Sequence, residues 1–239
     1  MVILILVFAA SLVPSIVLYF WLKGLRREEA YQASCKSAMK KGLLCVFLVI
    51  ALSASFALIK NLLLKEVNPL LVAAFHDFIV LALAEEVAKY HNGRKVIDGA
   101  AHDVSWLDMM VIMCIVGIGF GIAEDILASI GASVPMMVIR GVTIGHGVLG
   151  VMCGWFLGKG FKEGKDIGFR SIIVPWLYHG LYDFGLSEEF AALGDWTAIV
   201  SVSIAFLDFV LIVAFVFFVR KARNNPKYTE PLITHRTEE

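Results

Sequence analysis

The chain is poor in charge for its length. Charged side chains make up 18% of its 239 residues, against about 25% in an ordinary soluble domain. The signs also balance, with 21 Lys and Arg against 21 Asp and Glu, so no net charge attracts an anionic polymer. These shortages exclude a soluble globular enzyme, a disordered chain and a nucleic-acid-binding protein.

Cysteine spacings typical of disulfide frameworks or metal sites are also missing. The four cysteines are Cys35, Cys45, Cys114 and Cys153, and no CxxC or Cys/His ligand spacing occurs. Three lie in apolar runs and Cys35 lies in a polar loop. We therefore expect small buried hydrophobic residues, with neither a disulfide framework nor a structural zinc.

Long apolar runs dominate what remains. Hydrophobic residues make up 59% of the chain, in runs of roughly 17–25 residues, which suffice to cross about 30 Å of hydrocarbon as a helix. The alternating ten-residue segments of a transmembrane barrel are not seen. The sequence predicts an all-α, polytopic membrane protein, a single bundle of seven helices in the cell (plasma) membrane. The spans are Val2–Leu22, Gly42–Leu64, Pro69–Tyr90, Trp106–Ile130, Val134–Gly158, Ser171–Leu186 and Trp196–Val219.

Basic residues predict the orientation and the domain limits. They cluster after the first, third, fifth and seventh spans, which by the positive-inside rule puts the N-terminus outside and the C-terminus in the cytoplasm. We expect one transmembrane domain over residues 1–222, with its catalytic core over 69–186. The polar residues 223–239 are expected to form a flexible cytoplasmic tail.

Ionisable side chains inside these spans are candidates for function. Each costs at least about 2.5–3.5 kcal/mol on insertion, so such groups face a polar cavity or pair with one another. They are His76, Asp77, Glu85, Glu86, Lys89, Glu124, Asp125, Arg140, His146, His179, Asp183 and Asp208.

Two pairs of these side chains lie one helical turn apart. Glu85 and Lys89 share a helix face, as do His179 and Asp183. The first pair is either part of a reactive site or an interfacial salt bridge. In the second, Asp183 either fixes the tautomer of a working imidazole or closes a structural pair. Glu86 points about 100° away from Glu85, so only one of them heads straight into a given site.

The other groups have no such partner. Glu124 and Asp125 lie deep in an apolar run, where a buried carboxylate needs a partner from another helix. His146 lies in a span with glycines at four-residue spacings, a pattern that lets helices approach closely. Arg140, in the same span, either snorkels to the interface or pairs with an acid.

The combined set favours hydrolytic chemistry. Two imidazoles and a carboxylate are a common catalytic zinc ligand set, and a further glutamate can act as general base. Without metal, a glutamate activates water and the histidines stabilise the oxyanion. A proton-coupled transporter and a non-catalytic scaffold remain alternatives, since buried acids and histidines also form proton relays.

The order of the motifs resembles the PrsW family of intramembrane proteases, which is related to the type II CAAX prenyl proteases. The motifs are Glu85-Glu86-x-x-Lys89, Phe120-x-x-x-Glu124, Arg140 with His146 before a glycine-rich half-helix, and His179-x-x-x-Asp183. The resemblance implies a membrane metalloprotease, a hydrolase that cleaves a transmembrane protein substrate within the lipid bilayer. In bacterial relatives that substrate is an anti-sigma factor.

The resemblance also implies the site. Glu85, Glu86, Glu124, His146 and His179 would be catalytic, and Lys89, Asp125, Arg140 and Asp183 would support them. Glu124, His146 and His179 are the expected ligands of a divalent metal such as zinc, although the motifs leave open whether a metal is required. Asp125 stands where the family more often has asparagine.

The predicted span limits put two of these carboxylates at different depths. At about 1.5 Å per residue, Glu85 would lie roughly 8 Å from the cytoplasmic end of its span, and Glu124 roughly 27 Å from the start of its own. We therefore expect the fourth helix to begin in the cytoplasm, near Trp106–Asp108, and the third to lie deeper in the membrane.

Overall fold

A computed structural model describes residues 2–128, 144–165 and 168–234. The predicted all-α class is confirmed. The helices are α1 (Val2–Lys23), α2 (Glu29–Leu63), α3 (Pro69–Phe75), a π-helical segment (His76–Leu83), α4 (Ala84–Asp98), α5 (Trp106–Ala128), α6 (Gly145–Glu163), α7 (Gly168–Leu186), α8 (Glu188–Ala191), α9 (Trp196–Ala222) and α10 (Pro226–Thr229). Two short strands, β1 (Val104–Ser105) and β2 (Pro231–Ile233), form an antiparallel pair.

The helices include three that are long and apolar enough to cross a membrane. These segments are Glu29–Lys60, Trp106–Leu127 and Trp196–Ala222, and α1 carries a shorter apolar stretch, Val7–Lys23. Large apolar side chains stay exposed on α2 and α9, including Phe47 at 66% and Ile199 at 70%. An apolar face of this extent suits contact with lipid, so the chain is an integral membrane protein.

Helix α5 is the centre of the bundle. It packs between α2 and α6, and 83% of the residues in its 18-residue apolar stretch are buried. Its start is set by a reciprocal cap: the Ser105 hydroxyl accepts a hydrogen bond from the Asp108 backbone N–H (3.2 Å), and Asp108 Oδ2 accepts one from the Ser105 backbone N–H (2.9 Å). This capping box satisfies backbone donors that the first helical turn leaves unpaired.

Glycines bring α6 against α5. A Cβ atom at Gly150 or Gly154 would overlap the α5 backbone near Met113 and Met110. From the other side, a Cβ atom at Gly117 would overlap the backbone carbonyl of His146. The close approach expected from the glycine spacing of this span is therefore confirmed, and it fixes the position of His146 relative to α5.

Charged and aromatic contacts gather several helix ends at one end of the bundle. Arg26, just after α1, donates hydrogen bonds to Asp108 (3.0 Å) and Glu28 (2.6 Å). Partial burial disfavours its charge, but the carboxylates of Asp108 and Glu28 outweigh burial and raise the pKa of Arg26. Arg94 of α4 lies 4.9 Å from the centre of the Phe161 ring of α6. The ends of α1, α4 and α6 thus lie beside the start of α5.

The C-terminal segment differs from the expected flexible tail. Tyr228 of α10 packs against Trp106 and Phe218, with ring centres 5.4 and 5.0 Å apart. After it, β2 pairs with β1. Apolar contacts and backbone pairing therefore hold residues 226–233 against the bundle, which their polar composition did not indicate. Residues 235–239 lie outside the described part of the chain.

Helix α2 also begins earlier than the predicted span. It starts at Glu29 and not at Gly42, so Cys35 is a buried helical residue and does not lie in a polar loop. All four cysteines are buried, as expected for small hydrophobic residues.

Candidate active site

The length of α4 brings Glu85 closer to the level of Glu124 along the bundle. It ends at Asp98 and not at Tyr90, so Glu85 lies 13 residues, or about 20 Å, from its end. On α5, which begins at Trp106, Glu124 lies 18 residues, or about 27 Å, from the start. Glu85 is thus farther from the end of its helix than the predicted span limits indicated, and α5 begins at Trp106, within the expected segment.

The π-helical segment precedes the two glutamates directly. Segments of this kind are rare and occur often at functional sites, since each adds a residue to a turn and rotates the helix beyond it. Here the segment is held by Trp176 of α7, whose indole N–H donates a hydrogen bond to the Phe78 carbonyl (2.5 Å). A Cβ atom at Gly180 would overlap the Phe78 ring, so α7 lies close against this segment.

Glu85 faces the histidines of two other helices. Its side chain is buried, and its Oε2 atom makes no hydrogen bond to a described residue. That oxygen lies 3.6 Å from His179 Nε2 and 3.9 Å from His146 Nδ1. A buried carboxylate oxygen without a donor is costly, so this atom is well placed to receive a ligand.

Glu86 contacts two neighbouring side chains through one carboxylate oxygen. Its Oε1 atom lies 2.5 Å from the Lys89 ammonium and 2.9 Å from His179 Nδ1. The second nitrogen of His179, Nε2, is 3.2 Å from Asp183 Oδ2. Glu86 and Asp183 thus hold the His179 ring from opposite sides, and the expected i, i+4 contact of His179 with Asp183 is present.

Lys89 is the buried cation of the cluster. Besides Glu86, its Nζ atom lies 3.6 Å from Glu85 Oε2, 3.0 Å from His146 Nδ1 and 4.6 Å from the centre of the Phe120 ring. A buried ammonium between two carboxylates and an aromatic face offsets part of the negative charge. The predicted contact between Glu85 and Lys89 therefore belongs to this buried cluster and is no interfacial ion pair.

Glu124 contacts the other side of His146. Its Oε2 atom lies 2.5 Å from His146 Nε2. The His146 ring packs edge-on against Phe120 and His179, with ring centres 4.8 and 5.1 Å away. The Glu124 side chain is 30% exposed, whereas that of Glu85 is 4% exposed, so Glu124 is the glutamate that water reaches more readily.

An open pocket adjoins the cluster. Its lining comes from α1, α5, α6, α7 and α9. Its ionisable lining residues are Glu124, Asp125, His146, His179, Asp183 and Asp208. The pocket therefore gives these six side chains a shared open space.

One set of donor atoms suits a metal ion. Among the described residues, ligand atoms of Glu85, His146 and His179 lie within 4.8 Å of one another. A carboxylate and two imidazoles form a common catalytic zinc set, and the unpartnered Glu85 Oε2 atom completes it. This set has Glu85 in place of the expected ligand Glu124, which instead contacts His146 from the pocket side.

The structure thus brings together most of the residues expected from the sequence. Glu85, Glu86, Lys89, Glu124, His146, His179 and Asp183 form one cluster, and Asp125 lines the adjoining pocket. Arg140 lies outside the described residues. His76 and Asp77 contact each other (2.8 Å) and do not line the pocket. Asp208 does line it, although the motifs did not place it in the site; its signal was a lone acid in an otherwise apolar helix.

Comparison with known proteins shows the family of this chain. A sequence model of the PrsW family intramembrane metalloproteases matches residues 39–220. Protease PrsW of Bacillus subtilis (strain 168) is 29% identical over 198 residues, which cover 80% of this chain and 85% of that protein. No solved structure gives a significant match. The family match spans every residue of the cluster, and the chain therefore belongs to the PrsW family of intramembrane metalloproteases.

Proposed function

We propose that this protein is an intramembrane endopeptidase whose reactive groups are Glu85, Glu124, His146 and His179. One observation carries the proposal: donor atoms from three separate helical segments meet beside a pocket that a further glutamate, Glu124, lines. Family membership favours a protease over the transporter and the scaffold that the sequence also allowed.

Glu85, His146 and His179 would hold a divalent metal such as zinc. When bound, such an ion polarises the peptide carbonyl and increases the acidity of a coordinated water. The buried, unpartnered Glu85 oxygen supports this assignment, as do the two imidazoles beside it.

Glu124 is the proposed general base. It lines the pocket, whereas Glu85 and Glu86 do not. Glu124 takes a proton from the attacking water as the water oxygen bonds to the peptide carbonyl carbon. It returns that proton to the amide nitrogen as the C–N bond breaks, which yields a carboxylic acid and an amine. His146, in contact with Glu124, orients the carboxylate.

The remaining charged residues position this machinery. Glu86 holds His179 through its Nδ1 atom, and Lys89 offsets the charge of Glu86 and Glu85. Asp183 contacts the other nitrogen of His179. Groups that hold a ligand's ring orientation tune both metal affinity and activity.

The substrate proposed is a membrane protein whose scissile segment enters the pocket from the bilayer. By family resemblance, an anti-sigma factor is a specific candidate. We further propose the seven-span topology with the N-terminus outside, because the basic residues at or after the ends of α1, α4, α6 and α9 would then all face the cytoplasm.

Alanine variants test the proposal. Purified wild type and the Glu85→Ala, Glu124→Ala and His179→Ala variants are reconstituted in liposomes with a library of single-span peptides, and new termini are read by mass spectrometry. Wild type and the exposed control Glu66→Ala should cleave, and the three site variants should not. Equal cleavage by all of them would refute the assignment.

A further inference from the structure

The π-helical segment has no local cause in its own sequence. Residues His76–Leu83 contain neither proline nor glycine, the residues that most often interrupt an α-helix. The two leucines and the alanine at the end of the segment favour the α form, and α3 and α4 on either side are α-helical. The wider turns of the segment therefore depend on contacts from elsewhere in the bundle.

Helix α7 supplies such contacts from one face. Trp176 donates its indole N–H to the Phe78 carbonyl (2.5 Å). A Cβ atom at Gly180 would overlap the Phe78 ring, and the Phe184 ring centre lies 6.3 Å from that of Phe78. The three α7 residues are spaced four apart, so they share a face of the helix. Of these three contacts, the hydrogen bond from Trp176 is the one that reaches the backbone of the segment.

The same helix carries His179, three residues after Trp176. His179 Nδ1 lies 2.9 Å from Glu86 Oε1, and His179 Nε2 lies 3.6 Å from Glu85 Oε2. The two glutamates come seven and eight residues after Phe78. Helix α7 therefore contacts both the segment and the glutamates beyond it, so a change in the segment alters how the glutamates meet His179.

A return of the segment to the α form would rotate α4 relative to α3. Successive residues of an α-helix are about 100° apart, and an i→i+5 turn takes up one residue more than an α turn. With α3 fixed, the loss of one such extra residue moves Ala84 to the place of Glu85, and Glu85 to the place of Glu86. A methyl group would then lie between His146 and His179 where a carboxylate lies now.

We infer that Trp176 is a positioning residue: its hydrogen bond to Phe78 keeps the segment π-helical and so sets the rotation of α4 that places Glu85 between the two histidines. The consequence for activity rests on the proposed function of Glu85 as a metal ligand. The rotation itself can be measured without any metal or substrate, so the two are tested separately.

Two substitutions separate the hydrogen bond from the packing of the ring. Trp176→Phe keeps an aromatic ring and removes the N–H donor. Trp176→His is smaller, but its Nε2 atom is as many bonds from the backbone as the indole nitrogen, so its N–H can reach the same carbonyl. If Trp176→Phe does not fold, benzothienylalanine at this position replaces it, because that residue keeps the shape of indole and has sulfur in place of N–H.

The matched control is Trp196→Phe. It also removes an indole whose N–H donates to a backbone carbonyl, that of Leu193 (3.3 Å), but this tryptophan is exposed and lies away from the segment.

A cross-link between α2 and α4 reports the rotation. Asn92 of α4 donates a hydrogen bond to Cys45 Sγ of α2 (3.3 Å), so Asn92→Cys places a second thiol beside that cysteine. The disulfide formed with an organic oxidant is quantified by mass spectrometry as the linked peptide. In this background Trp176→Phe should slow the linkage at least about tenfold, because cysteines whose Cβ atoms point apart cannot be bridged without backbone movement. Trp176→His and Trp196→Phe should link at the rate of the parent.

Zinc affinity measures the consequence for the site. In the full chain without Asn92→Cys, Trp176→Phe should raise the dissociation constant for zinc by about 10–100-fold, the usual effect of losing a group that orients a ligand. Trp176→His and Trp196→Phe should leave the constant unchanged. Competition with a fluorescent chelator gives the constants, and melting temperatures show that each variant is folded at the temperature of the measurement.

The outcomes distinguish the inference from the function on which it rests. Slower linkage in Trp176→Phe beside a normal rate in Trp176→His supports the inference, even if wild type binds no zinc. An unchanged linkage rate in Trp176→Phe, or equal slowing in Trp176→Phe and Trp176→His, overturns it. Slower linkage with an unchanged zinc affinity supports the rotation and instead contradicts the assignment of Glu85 as a ligand.

Discussion

Glu124 and His146 contact each other across the α5–α6 helix pair, with Glu124 Oε2 2.5 Å from His146 Nε2. The contact exists because glycines let the two helices approach almost to backbone contact. The contact links the Glu124 motif of α5 to the His146 motif of α6. Glu124 still lines the pocket.

Glu124→Gln removes the proposed base while keeping the shape of the side chain. The cleavage rate should fall by roughly 10²–10⁴-fold, the usual contribution of a general base. Initial rates of peptide cleavage measure the loss, with the exposed Glu66→Gln variant as control. A Glu124→Gln protein that cleaves at the rate of the control would show that another group activates water.

Lys89→Met should destabilise the fold strongly. Glu86 and Glu85 would lose the ammonium that lies 2.5 and 3.6 Å away, and a buried charge left without its partner costs about 3–5 kcal/mol. Denaturant unfolding in detergent measures the free energy. The matched change Lys165→Met removes an ammonium with a 64% exposed side chain and should cost under about 1 kcal/mol. The double variant Glu86→Gln/Lys89→Met should recover part of the loss, and similar losses for both single variants would contradict this account.

Gly117→Ala should displace His146 from the residues of the site that lie on α5. Its Cβ atom would overlap the carbonyl of His146, so α6 must shift and His146 with it. A displacement of about 1 Å at a reactive group costs on the order of 100-fold in rate. Gly185→Ala is the control, because its Cβ atom would meet only the flexible end of Ile204 at 3.2 Å. Cleavage rates and melting temperatures are measured for both variants. Equal values for Gly117→Ala and Gly185→Ala would argue against close packing at Gly117.

Tyr228→Ala should release the C-terminal strand. The tyrosine ring packs between Trp106, Trp155 and Phe218, and its loss would leave β2 held by the strand pairing and the packing of Leu232 and Ile233. Hydrogen–deuterium exchange at Leu232 and Ile233 should become faster, whereas the exposed control Glu230→Gln should leave it unchanged. Slow exchange in Tyr228→Ala would show that strand pairing alone retains the segment.

The sequence predicted the cluster better than its internal arrangement. Charges inside apolar spans are costly wherever they lie, so their convergence followed from energetics and motif order. Which of Glu85 and Glu86 lies between the two histidines did not follow, because the π-helical segment before them rotates the helix by an amount that the sequence does not reveal. That rotation decides which glutamate lies beside both histidines as a possible metal ligand and which one only holds His179 in place. In this structure Glu85 has the first position and Glu86 the second.

Residues far apart in the chain account for the other differences. The C-terminal segment is polar, and it is ordered by contacts of Tyr228 with Trp106, Trp155 and Phe218 and by the pairing of β2 with β1. Asp208 is a lone acid in α9, and its place beside Gly145 depends on how α9 packs against α6. Neither tertiary contact leaves a periodic signal in the sequence.

The most direct test of the central claim is the metal content of three proteins, measured beside their cleavage rates after loading with zinc and desalting. Wild type should retain about one ion per chain, Glu85→Gln should retain little, and Glu124→Gln should retain the ion while it fails to cleave. Equal metal retention by wild type and Glu85→Gln, or loss of the ion from Glu124→Gln alone, would contradict the assignment of Glu85 as a ligand and Glu124 as the base.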